Sequence, residues 1–66
     1  MKNTLKVERA IKDITQQDLA TAVGVSRQTI NSIEAGGYVP SAVLALKIAR
    51  YFGKPADAIF ILEEDD

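Results

Sequence analysis

The sequence predicts an all-α fold: five short helices around one compact core, with a short extended segment at the C-terminal end. Two observations carry this. Apolar residues recur at helical spacing in separate runs, and the runs are divided by capping hydroxyls, glycines and prolines. The runs place helices at about 4–12, 16–23, 27–35, 42–52 and 56–60.

Each boundary has a residue-level reason. Thr15 precedes the second helix as a hydroxyl N-cap, and Asp18 three residues on makes a weaker form of the reciprocal capping box. Ser26 caps the third helix, in which Ile30 and Ile33 lie together. The turn Gly36-Gly37-Tyr38-Val39-Pro40 stops it. Ser41 caps the fourth, along which Leu44, Ala45, Ile48, Ala49 and Phe52 share one face and close the core. Gly53-Lys54-Pro55 breaks the chain, and a short helical turn leads into Ile59, Phe60, Ile61 and Leu62. Four consecutive apolar residues exceed what one helix face can bury, so a second surface is expected over some of them.

Length and composition bound the rest. Sixty-six residues make one domain, assigned to 1–62, followed by the acidic tail 63–66. A domain this small has a narrow stability margin, which dimerisation would widen. Cysteine and histidine are both absent, so no disulfide, metal site or cofactor is expected. With 47% hydrophobic residues the chain is globular, and it has no apolar run of the roughly 18 residues a membrane span needs. No secretory signal precedes the domain, which makes the cytoplasm the expected compartment. The net charge of -1 conceals an asymmetry: four of nine acids are Glu63, Glu64, Asp65 and Asp66, and the remainder, eight bases against five acids, carries +3. A catalytic constellation is missing as well, since the carboxylates outside the tail are explained by caps or ion pairs.

The stretch from Gln16 to Ala35 carries the chemistry. Its spacing fits two short helices crossing through a tight turn. Ala20 is small where steeply crossed helices approach most closely, and Gly24 stands where the chain must reverse in a left-handed conformation. Leu19, Val23, Val25, Ile30 and Ile33 supply the apolar positions. The opposite side of the second of these helices carries Gln28, Asn31, Ser32 and Ala35, with Arg27 and Thr29 at its margins, and no acid. Such a face suits base edges, because Gln or Asn can read adenine and Arg can read guanine in the major groove. An ordinary solvated helix face is the plainer reading, and the position on the second helix of this motif favours DNA contact over it. For Gly37 and Tyr38 two readings stand: a mere loop, or backbone N–H groups and a tyrosine hydroxyl placed for phosphate.

The run TQQDLATAVGVSRQTINSIEAG resembles the Cro/cI-type (XRE) family of helix-turn-helix regulators, and PSAVLALKIARYF is similar to that family's fourth helix. The resemblance covers nearly the whole chain. It implies a five-helix, lambda-repressor-like DNA-binding domain, usually homodimeric, that binds pseudo-palindromic double-stranded DNA and regulates transcription. By position it implies that Gln16 holds a phosphate, that Arg27, Gln28, Thr29 and Ser32 face the groove, and that Arg9 pairs with Glu34. Glu8 stands where the family commonly has leucine, so the first helix is expected to present Leu5, Val7 and Ile11 instead. The C-terminal apolar run, with Phe60, Ile61 and Leu62, is expected to cross to a second copy in a two-fold dimer. A protein-interaction module, such as the antitoxin of a toxin pair, is the competing reading, with a protein partner docking on the same apolar segment. The tail acids read as solubilising, or as a partner contact.

Overall fold

A computed structural model describes all of Met1–Asp66. In chain order the elements are β1 (Lys2–Asn3), α1 (Leu5–Lys12), α2 (Gln16–Val23), α3 (Arg27–Glu34), α4 (Ala42–Phe52), α5 (Ala56–Ile59) and β2 (Phe60–Ile61). The five expected helices are present. Three ends differ by one residue: α1 begins at Leu5, α3 ends at Glu34, and α5 ends at Ile59, because Phe60 already has the extended backbone of a strand.

The caps explain the boundaries. Thr15 Oγ1 accepts from the Asp18 N–H at 3.0 Å while Asp18 Oδ2 accepts from the Thr15 N–H at 3.0 Å, a complete capping box for α2. Ser26 and Ser41 cap α3 and α4 by accepting from Thr29 N–H at 3.1 Å and Leu44 N–H at 3.2 Å. Gly24 closes α2 in the left-handed region at φ 79°.

Every element except β1 contributes to the core, which gathers Leu5, Leu19, Ala20, Val23, Ile30, Ile33, Leu44, Ile48, Ala49, Phe52, Ile59 and Phe60. β1 instead pairs antiparallel with β2, Lys2 opposite Ile61 and Asn3 opposite Phe60, and Thr4 N–H extends the ladder to the Ile59 carbonyl at 3.0 Å. Asn3 then ties this sheet to the helices: its Nδ2 donates to the Ile33 carbonyl at 2.8 Å and its Oδ1 accepts from the Leu5 N–H at 3.2 Å.

Two expectations about packing are overturned. Val7 and Ile11 do not face the core; they are 59% and 70% exposed. Leu5 and Val7 lie about 200° apart on a helix and cannot share a face. Once Leu5 is buried, the inward stripe continues through Glu8, which is 7% exposed and accepts a hydrogen bond from Lys54 Nζ at 2.7 Å. Phe60, for its part, is 8% exposed and belongs to the core of its own chain, so it is not free to cross to a second copy. In strand β2 side chains alternate, and the next residue, Ile61, points out together with Leu62.

The acidic tail folds back instead of trailing away. Glu63 N–H donates to Asp66 Oδ2 at 2.8 Å, and the Met1 ammonium lies 3.1 Å from Glu63 and 3.2 Å from Asp66. These pairs are near the surface, where an ion pair contributes little.

Candidate nucleic-acid interface

Helices α2 and α3 pack through the buried methyl of Ala20, whose carbonyl accepts from the Gly24 N–H at 2.9 Å and the Val25 N–H at 3.0 Å to form the turn between them. Burying Ile30 and Ile33 turns the other side of α3 outward: Arg27, Gln28 and Asn31 are exposed, and Thr29 and Ser32 are half-buried at its edge. The five residues expected to face a groove therefore do occupy one outward face. It has two flanks, with different neighbours.

On the first flank, toward the start of α2, an ion pair sets the geometry. Arg9 Nε and Nη2 donate to Glu34 at 2.6 and 3.0 Å, and Nη1 donates to the Ile14 carbonyl at 3.1 Å. The expected Arg9–Glu34 pair thus ties α1 to α3 and to the α1–α2 turn. Burial opposes ionisation of Glu34, but hydrogen bonds from Arg9 and Gln16 and the charges of Arg9 and Lys6 more than offset it and hold the carboxyl below its ordinary value. Gln16 is placed differently from its expected role. Its Nε2 donates to Glu34 Oε1 at 3.1 Å and to Asn31 Oδ1 at 3.2 Å. Both amide hydrogens are engaged, and the remaining carboxamide oxygen is an acceptor, which a phosphate oxygen repels. The groups left for an anion on this flank are the backbone N–H groups of Gln16 and Gln17, which have no partner in the chain and stand at the positive end of α2.

On the second flank, Ser26, Gln28, Thr29, Ser32, Gly37 and Tyr38 line a shallow open concavity between α3 and the loop after it. The Gly37 N–H is not free for phosphate: it donates to the Ser32 carbonyl at 3.0 Å, completing the end of α3. Tyr38, half exposed, keeps its own N–H and hydroxyl unpaired, so the donor role expected of Gly37 and Tyr38 together falls to Tyr38. Thr29 Oγ1 is 2.9 Å from Ser26 Oγ, which orients its hydroxyl. Lys47 of α4, which sequence reasoning did not single out, shares a neighbouring concavity with Thr29 and Tyr38 and has no carboxylate partner. Its signal was an outward position on α4 one turn from Val43. The outward face of α3 itself carries no acid, and Glu34 is neutralised by Arg9.

This arrangement is matched by relatives along its whole length. The helix-turn-helix family model matches residues 5–59, spanning α1 through α5. The chain belongs to the Cro/cI-type helix-turn-helix family. An HTH-type transcriptional regulator of Methanocaldococcus jannaschii is 56% identical over 66 residues, with both chains covered completely. An HTH-type transcriptional regulator of Bacillus subtilis, YgzD, is 47% identical, again over 100% of each chain, and one of Methanothermobacter thermautotrophicus is 46% identical over 98% of this chain and 96% of its own. The protein is a transcriptional regulator with a DNA-binding helix-turn-helix, and α2 and α3 are the two helices of that motif. None of the regulator's helices is long and apolar enough to cross a membrane.

Proposed function

We propose that the protein is a cytoplasmic repressor that binds a two-fold operator as a homodimer, laying α3 in the major groove of each half-site. The observation that carries this reading is the outward face of α3, polar and free of acids, with unpaired backbone donors at the start of α2 on one side and the Tyr38 donors on the other. Arg27, Gln28, Thr29, Asn31 and Ser32 read bases, and the N–H groups of Gln16 and Gln17, with Tyr38 and Lys47, hold phosphates on either side. Two copies related by a two-fold axis place the recognition helices about 34 Å apart, one turn of DNA. Ile61 and Leu62, exposed beside a two-stranded sheet, offer an apolar surface for that contact. Occupation of an operator that overlaps a promoter excludes polymerase, and no catalytic step is assigned to the protein.

Footprinting on DNA upstream of the protein's own gene tests the reading, with Arg27→Ala and Gln28→Ala as controls. Both variants are expected to lose roughly 1–3 kcal/mol of preference for the protected site over a mismatched one. Full discrimination by both would show that α3 is not the reading element. A role in binding a protein partner draws support from a separate surface: Val43 and Leu46 are exposed on α4 beside Lys47 and Arg50. The two surfaces meet at Lys47, so a partner seated on Val43 and Leu46 would compete with the phosphate contact there.

A further inference from the structure

Arg9, Glu34, Gln16 and Asn31 form one chain of contacts that runs from α1 to the reading face of α3. Its polarity follows from the first member. A guanidinium only donates, so Glu34 beside it is an ionised carboxylate that only accepts. Gln16, 3.1 Å from Glu34 Oε1, must therefore turn its NH₂ group toward α3, since its carbonyl oxygen there would face a carboxylate. Asn31, 3.2 Å from the same NH₂, must in turn present its oxygen to Gln16. In a planar carboxamide the oxygen and the nitrogen are on opposite limbs, so an oxygen drawn toward α2 leaves the NH₂ limb pointing away from it. A free asparagine reads adenine by using both limbs, accepting from N6 and donating to N7. This one has its acceptor limb held.

We propose that Asn31 enters the groove as a donor, and that the protein therefore requires guanine, whose N7 and O6 both accept, at the base pair Asn31 faces. The inference rests on the DNA-reading role of α3 and adds which base that residue selects. At the same position adenine offers one acceptor and a competing N6 donor, thymine one acceptor, O4, crowded by its methyl, and cytosine only a donor, so guanine alone offers two acceptors to the NH₂ group. Gln16 and Glu34 are positioning residues: they touch no base and act by setting the orientation of the Asn31 amide. Arg9 acts one step further back, by keeping Glu34 ionised.

The test is selection of binding sites from a randomised duplex DNA library by the full chain, carried out for the wild type, Asn31→Ala and Gln16→Met. The wild type is expected to enrich a two-fold motif with guanine at one position of each half-site. Asn31→Ala, a change at an exposed residue, is expected to lose base preference at that position alone, with affinity for the guanine site falling on the order of tenfold. Gln16→Met keeps the length of the side chain and removes its amide, freeing Asn31 to turn. Adenine is then expected to appear at that position, which a purely structural role for Gln16 would not produce. Adenine at the Asn31-dependent position of the wild type overturns the proposal, as does a Gln16→Met motif identical to the wild-type motif. An enriched motif with no Asn31-dependent position overturns the proposal and leaves the DNA-reading role standing, whereas no enrichment by the wild type overturns both. A thermal melt of each variant separates loss of selection from loss of fold, and Asn31→Ala decides the matter if Gln16→Met does not fold.

Discussion

Replacing Glu8 with leucine is expected to stabilise the protein, and the reason lies in the asymmetry of its ion pair. The Glu8 side chain is 9% exposed while that of Lys54 is 45% exposed, with 2.7 Å between Nζ and Oε2. Breaking a fully buried pair by removing one partner costs about 3–5 kcal/mol, and an exposed pair contributes about 0–1 kcal/mol. Here the carboxylate is desolvated but water reaches the ammonium, so Lys54→Ala should cost an intermediate amount, roughly 1–2 kcal/mol. Glu8→Leu removes the desolvation cost along with the pair and fills the inward stripe with apolar surface worth about 1.5–3 kcal/mol when fully buried. Against this stands the loss of an acid in the first turn of α1, worth about 0.3–1 kcal/mol by its interaction with the helix dipole. The net expectation is a gain of about 1 kcal/mol or more, or roughly 4–8 °C in melting temperature for a domain of this size. In a Glu8→Leu background Lys54→Ala should be nearly neutral, since its partner is gone. Urea and thermal unfolding at one fixed protein concentration measure all four proteins, because a dimer's midpoint shifts with concentration. If Glu8→Leu lowered stability by more than about 1 kcal/mol while Lys54→Ala was silent, the buried placement of Glu8 would be wrong.

Four further outcomes follow from the structure. Arg9→Ala and Glu34→Ala should each destabilise by roughly 1–4 kcal/mol and the double variant by less than their sum, since the two side chains share a pair with contacts of 2.6 and 3.0 Å; strictly additive losses in a double-mutant cycle would show no coupling. Because the folded Glu34 carboxyl titrates below its unfolded value of about 4.3, its contribution is present in full above that pH and is lost as pH falls through the lower folded value; acid unfolding in that window should be shallower in Glu34→Gln. Gly24→Ala should cost only about 1 kcal/mol and keep the fold, because φ is 79° there but no atom lies within 4 Å of the added methyl; a larger loss would reveal a steric constraint. Ile61→Asp should sediment as a monomer with an unchanged circular dichroism spectrum, and a dimer surviving this change would place the interface elsewhere.

What could be read in advance were the features whose cause is local. The ends of α2 and α4 are set by a hydroxyl before them and a left-handed glycine after them, all within a few residues of one another, and both helices run over the expected residues. The inward faces of α2 and α3 follow from helical period alone. The misplacements come where one element answers to another. Leu5, Val7 and Ile11 are all apolar, yet a helix is rotated as a rigid body, and the links of Arg9 to Glu34 and of Asn3 to the end of α3 fix that rotation with Glu8 inside. β1 has two residues and no pattern of its own; it exists because Phe60 and Ile61 offer it an edge. The same distinction divides the candidate site. That Asn31 faces outward is a matter of period, but which limb of its amide faces outward is decided by Gln16, fifteen positions earlier, and behind it by Glu34 and Arg9. On the proposed reading, a substitution at Arg9, in a helix distant from α3 in sequence, alters which base Asn31 selects, and the outward face of α3 cannot be understood from α3 alone.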